Sequence, residues 1–190
     1  GGHGDLRPRT APVEACACAQ SGTDLTRIAD GVSEVRRATR DELRKGATQI
    51  KIMASGGVAS PHDPLWANQY SEEEMRAIVE EARAWRTYVM AHAYTAQSIR
   101  RAIDFGVRSI EHANLIDRET ASHAAKAGAF VVPTLVTYDS VNRHAREFGL
   151  PESSIAKLAE VRVAGIESLA ILHQAGVKIG FGTDLLGFMQ

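Results

Sequence analysis

Cysteine is nearly absent: Cys16 and Cys18 stand alone, and a single C-x-C lacks the second pair that a zinc ribbon or knuckle requires. They read as free thiols in an alanine-rich loop, a usage compatible with a reducing compartment. No excess of either charge is present. Lysine and arginine total 22 against 23 acidic residues, a net charge of -1, which leaves no basic field of the kind that holds nucleic acid or an anionic membrane. Long apolar runs are lacking too, since uncharged stretches such as Ala127 to Tyr138 fall well short of the roughly 18 residues that cross a bilayer. There is no GxGxxG and no Walker-type phosphate loop, so a nucleotide-binding doubly wound sheet is the weaker topology. What survives these exclusions is a small uncharged or zwitterionic substrate and an expected cytoplasmic location. An upstream targeting segment and homo-oligomerisation are both left open.

What the chain does contain is ordinary globular material, 44% hydrophobic and 24% charged over 190 residues, enough for one domain (1–190) with a real core. It opens on Gly1 without a methionine and closes at Gln190, soon after Asp184, and it reads as cut at both ends. From Asp30 onward, segments of helical period alternate with short apolar runs, the signature of βα units and a parallel sheet. The first helix is expected from about Gly31 to Lys45, with Val32, Val35, Ala38 and Leu43 inward and Gly46 stopping it. Ser71 and Glu74 form an S-x-x-E capping box, after which Met75, Ile78, Val79, Ala82 and Trp85 recur at helical spacing. Thr95 caps a short helix with Ile99, Ala102 and Ile103 inward, Gly106 ends it, and Asp117 opens another that stops at Gly128. A longer helix starts near Pro151, with Ile155, Leu158, Ile166, Leu169 and Ala170 inward, and runs toward Gly176.

Five strands are expected: around Lys51, ending at His92, Val107 to His112, Phe130 through Leu135 with Pro133 near its end, and Val177 to Gly182. Each but the last is followed by a helix, which points to an α/β chain forming a partial (β/α)8 TIM barrel. Glycine-rich segments at Ser55 to Val58 and Gly180 to Gly182 fall at strand ends, where backbone approaches a ligand or turns sharply. Gly1 to Asp5 and the loop through Gly22 read as the exit of an earlier strand.

Barrel chemistry gathers at the C-terminal ends of strands, and four polar residues fall there: Lys51, His92, His112 and Asp184. Singly, each has a plain reading. A strand-end histidine can be a hydrogen-bonded structural residue, and Asp184 a turn residue or helix cap. Lys51, flanked by Ile50, Ile52 and Met53, is harder to dismiss, because a buried ammonium without a partner is costly. Together they form a plausible ligand set, since imidazole and carboxylate are the usual donors for Zn2+ and its neighbours.

In this order QIKIMASGG, AHAYT, SIEHAN, VVPTL and GFGTD resemble the metal-dependent amidohydrolase superfamily, and most closely its branch of imidazolonepropionase-like proteins and Xaa-Pro or Xaa-Arg dipeptidases. The resemblance implies a barrel covering the end of strand 3 through strand 8. It implies that Lys51 takes up carbon dioxide to become a carbamate bridging two divalent metal ions, Zn2+ by expectation, at about 3.5–4 Å separation. His92 and His112 would then bind the second metal, while Asp184 binds the first and handles the proton. The implied reaction is hydrolysis of an amide (C-N) bond in a small substrate, a dipeptide for example, by a metal-bridged hydroxide. Tyr94, two residues beyond His92, would polarise the carbonyl or simply pack. His3 in GGHGD matches a motif that touches substrate, and Arg100 would bind a substrate carboxylate unless it is solvated helix surface. His62, His123, His144 and His173 receive no role. The superfamily's first-strand His-x-His pair has no counterpart.

Two other readings stay open. Lys51 alone fits a Schiff-base nucleophile in a barrel lyase, its pKa lowered by apolar surroundings. Alternatively the chain is an inactive barrel fragment with structural polar residues. Because an incomplete barrel leaves strand edges unpaired, the isolated chain is expected to be poorly soluble and essentially inactive, and robust turnover by the purified 190-residue protein would contradict that.

Overall fold

The structure, a computed structural model, describes residues 27–60, 63–145 and 150–185. His3, His62, Cys16, Cys18 and the expected early-strand exit lie outside the described residues. Along the chain run α1 (Val32–Arg44), β1 (Ile50–Met53), α2 (Glu72–Ala84), β2 (Val89–Thr95), α3 (Ala96–Asp104), β3 (Ser109–Leu115), α4 (Arg118–Ala127), β4 (Phe130–Val132), α5 (Leu135–His144), α6 (Glu152–Gln174) and β5 (Lys178–Ile179). All strand pairs are parallel and the order is β1-β2-β3-β4-β5. A sheet wound in sequence order is an arc of a (β/α)8 barrel, whereas a doubly wound fold reverses direction partway across. Among the described residues no helix is long and apolar enough to cross a membrane.

Local chemistry explains the helix starts. The Ser71 side chain accepts from the Glu74 amide while Glu74 reaches back to the Ser71 amide, the reciprocal box that the sequence announces. Thr95 and Asp117 cap α3 and α4 through the amides of Ser98 and Thr120. Between α1 and α2, Arg36 and Arg40 both donate to Glu81, which is 7% exposed and held below its usual carboxyl range by those two guanidinium groups, Arg40 foremost.

Two apolar clusters divide the molecule. The larger packs strand residues such as Ile52, Val89, Ala91, Ile110 and Val131 beneath helix residues such as Met75, Ile99, Ala121 and Leu172. The smaller joins Val58, Leu65, Tyr94, Tyr138, Leu158 and Val161, and so unites the loop after β1, the end of β2, α5 and α6. Strand alternation creates the split: Val89, Ala91 and Ala93 face the helices, while His92 and Tyr94 face the other way.

The structure corrects the sequence reading in four places. The expected strand through Leu135 stops at Val132, and residues 135–144 form a helix, α5, that the pattern did not reveal. β5 is only Lys178–Ile179, because β4 offers it just Phe130 and Val131 as partners. Val32 and Trp85 are exposed rather than inward. On α6, Ile155, Ile166 and Ala170 face solvent, while the buried stripe is Ser154, Leu158, Val161, Gly165, Ser168 and Leu172. Close approach accounts for the small residues in that stripe, Gly165 above all. Asn114 at the end of β3 donates to the Val161 carbonyl at 2.9 Å, and a Cβ on Gly165 would meet Asn114 Nδ2 at 2.7 Å and Leu135 Cδ2 at 2.9 Å.

This contact inverts an ordinary rule. In an exposed helix interior, Gly→Ala stabilises by roughly 0.8–1 kcal/mol. For Gly165→Ala we expect a net loss of about 1–3 kcal/mol from overpacking, read as a lower urea midpoint, and a raised midpoint would contradict the packing described.

Candidate active site

Polar groups collect where β2 and β3 end. His92 and Tyr94 share one face of β2, their ring centres 4.8 Å apart and nearly perpendicular. In β3 the register sets Glu111 beside His92, so simple alternation would turn His112 to the helix side. The backbone prevents that. His112 and Ala113 adopt φ of 80° and 56°, and the β2–β3 register slips between Ala93 and Thr95. The His112 ring thereby comes to 4.6 Å from His92 and stacks on Tyr94 at 5.2 Å. Positive φ at non-glycine residues costs about 1–3 kcal/mol each and persists only where the surroundings enforce it. Thr134 (φ 49°) and Asp184 (φ 54°) share this strained geometry.

The enforcing contacts are specific. His112 Nδ1 and the Thr134 hydroxyl are hydrogen-bonded at 2.7 Å, and both residues are buried. Thr134 opens α5, whose Tyr138 donates its hydroxyl to that of Tyr94 at 3.1 Å. From the same helix the Thr137 hydroxyl donates to the Asp184 carbonyl at 3.0 Å. On the opposite side, His92 Nε2–H donates to the Gly56 carbonyl at 3.0 Å. Gly56 has no alternative residue, since a Cβ there would lie 1.9 Å from the Pro64 carbonyl oxygen. Each imidazole thus has one nitrogen oriented by a neighbour, which is how metal-binding histidines are ordinarily aimed.

Lys51 and Asp184 occupy the outer part of the arrangement. Ile50 and Ile52 turn into the core, and Lys51 points the other way, its side chain reaching the surface. Apolar neighbours still draw the Lys51 ammonium below its ordinary value, with Glu111 and Asp184 pulling it back. Asp184, also exposed, is raised by partial desolvation and lowered by Lys51. Water screens these couplings, so they carry little stability. Burial lifts the phenols of Tyr94 and Tyr138, which therefore stay protonated at neutral pH.

Three contributors escaped the sequence reading. Glu111 is buried with Ser109 donating to it at 2.7 Å, and burial raises its carboxyl while Lys51 and the Ser109 bond oppose. A charge inside an apolar strand was the signal, the same one that flagged Lys51. Tyr138 and Thr134 carried no such mark. Arg100 lies exposed on α3, its guanidinium donating to Glu119 at 2.7 Å, which matches the solvated helix surface that the sequence offered as the alternative to a substrate contact.

The donor types suit a borderline divalent cation, with His92 and His112 gathered most closely. Among the described residues, no three His, Cys, Asp or Glu side chains lie close enough together to share one.

Comparison with known proteins bears directly on this arrangement. The chain is 59% identical to a prolidase whose crystal structure holds N-methylphosphonate-L-proline, with a TM-score of 0.90 over 99% of this chain and 46% of that one. It is 30% identical to a Xaa-Pro dipeptidase solved with methionine in its active site, with a TM-score of 0.80 over 97% of this chain and 45% of that one. Ochratoxinase of Aspergillus niger is 40% identical over 157 residues, 83% of this chain and 32% of the relative. The chain therefore spans less than half the length of each protein it matches here. Residues 10–189 fit the model of the amidohydrolase family, and the chain belongs to that family.

Proposed function

We propose that this sequence supplies the β2–β3 catalytic face of a metal-dependent hydrolase that cleaves the amide bond of a small substrate, with a dipeptide ending in proline as the leading candidate. The observation that carries this reading is the His92–His112–Tyr94 cluster, built on a strained strand end that structural packing alone would not require. The high identity to a prolidase supports the choice of dipeptide.

In this reading His92 and His112 hold one divalent cation, and Asp184 and a carbamate on Lys51 complete a two-metal centre, Zn2+ being the expected ion. When bound, such cations would polarise a carbonyl and lower the pKa of a bound water to roughly 7. The chain's own groups do the rest. Tyr138 donates to the Tyr94 oxygen, which leaves the Tyr94 proton to be directed at the oxygen of the scissile carbonyl as charge develops there. Asp184, on a strained backbone near Lys51, accepts the proton of the attacking water and returns it to the leaving amine. The Schiff-base alternative uses Lys51 only and gives the three buried rings no purpose.

The test is a chimera in which this chain replaces the matching segment of the prolidase at 59% identity. It should retain bound metal and hydrolyse proline dipeptides. Lys51→Ala in that chimera should lose metal, measured by elemental analysis, together with activity; retention of both at the level of the unmutated chimera would overturn the bridging role. Tyr94→Phe should keep its metal and lose roughly 10²–10³-fold in kcat with little change in KM, the pattern of a group that acts on the transition state. An unchanged kcat would remove Tyr94 from the chemistry.

A further inference from the structure

The loop after β1 packs beside the site, and one side chain of α6 gathers several of its carbonyls. Lys157, on α6, directs its ammonium at three backbone carbonyls of that loop: Gly57 at 2.8 Å, Ser60 at 2.5 Å and Asp63 at 2.9 Å. An ammonium has three donors, so these contacts use all of them. The Asp63 carboxylate, fully buried, stands 3.9 Å away and supplies the counter-charge. Around this cage Val58 and Leu65 pack on Leu158 and Val161 of α6. Inside the loop, Gly56 donates to Ala67, Ala67 to Pro64 and Gln69 to Ala54.

The consequence lies one residue along the chain. Gly57, whose carbonyl Lys157 holds, follows Gly56, whose carbonyl accepts from His92. Because Gly56 is wedged against Pro64, the two neighbouring carbonyls cannot shift independently. We infer that Lys157 is a positioning residue, which fixes the Gly56 carbonyl through the ammonium cage and thereby sets the ring orientation and protonated nitrogen of His92. Three carbonyls converging on one point fit a compact ammonium, whereas a planar guanidinium cannot reproduce the tripod.

The significance of this rests on the proposed role of His92, so the experiment reads the His92 ring itself rather than turnover. In the prolidase chimera without added metal, the imidazole 15N resonances of His92 and backbone hydrogen exchange are compared for the unmutated chimera, Lys157→Met and Lys157→Arg. In Lys157→Met, the amides of Gly56, Ala67 and Gln69 should exchange about tenfold faster or more, with α2 unaffected, and the His92 Nε2 signal should move away from its hydrogen-bonded position. Lys157→Arg, which keeps charge and bulk, should also shift the His92 signal. If His92 stays unmoved in both variants, or in Lys157→Arg when Lys157→Met fails to fold, the inference is overturned even if loop exchange rises. Loss of metal-dependent activity with an unmoved His92 would likewise count against it while leaving the proposed reaction intact.

Discussion

A backbone that the chain would not choose freely holds the candidate site together. His112 and Ala113 sit at positive φ in the middle of β3, and that reversal brings His112 onto the face already occupied by His92 and Tyr94. The cost, about 1–3 kcal/mol per residue, must be met by surrounding contacts. The Thr134 hydroxyl is the nearest of them, and Thr134 is itself strained. Two adjoining strand ends are thus fastened to each other through side chains.

Behind this geometry lies a division of labour between two apolar clusters. The larger one fixes the sheet: strand residues of helix-facing parity lock β1 to β4 under the helices, and their register follows. The smaller one fixes the site. It binds the loop after β1, Tyr94, Tyr138 and α6 into one body over the strand ends. α6 serves both, through Leu172 in the first and Leu158 and Val161 in the second. Between these two anchors the stripe narrows to Gly165, since Asn114 and Leu135 approach it too closely for anything larger there.

Much of this was legible in the sequence, and what was not has a physical reason. The capping box at Ser71 and Glu74, the caps at Thr95 and Asp117, and the parallel strands were written in local chemistry. α5 was not, because it begins after Pro133 at a left-handed Thr134 with no side-chain cap, and its run of Leu135, Val136, Thr137 and Tyr138 reads as strand. The buried side of α6 was hidden for another reason: hydrophobicity pointed to Ile155 and Ile166, while tertiary proximity selected Gly165 and Ser168. At the site, residue types single out His92, His112 and Asp184 alike, whereas the backbone irregularity that turns His112 onto the face of His92 is contained in no spacing rule. Lys51 stands out in the sequence as a charge between apolar residues, and in the structure desolvation still lowers its ammonium while Glu111 and Asp184 oppose, although its side chain reaches the surface.

The central proposal is that His92 and His112, with Lys51 and Asp184 on the outer part of the same face, would hold divalent cations. Anomalous diffraction at the zinc edge from crystals of the prolidase chimera measures this most directly. The account predicts anomalous peaks at bonding distance, about 2.0–2.1 Å, from a ring nitrogen of each histidine, with the Asp184 carboxylate and the modified Lys51 reaching the same centre. Peaks elsewhere on the molecule, with His92 and His112 bonded only to Gly56 and Thr134, would contradict it.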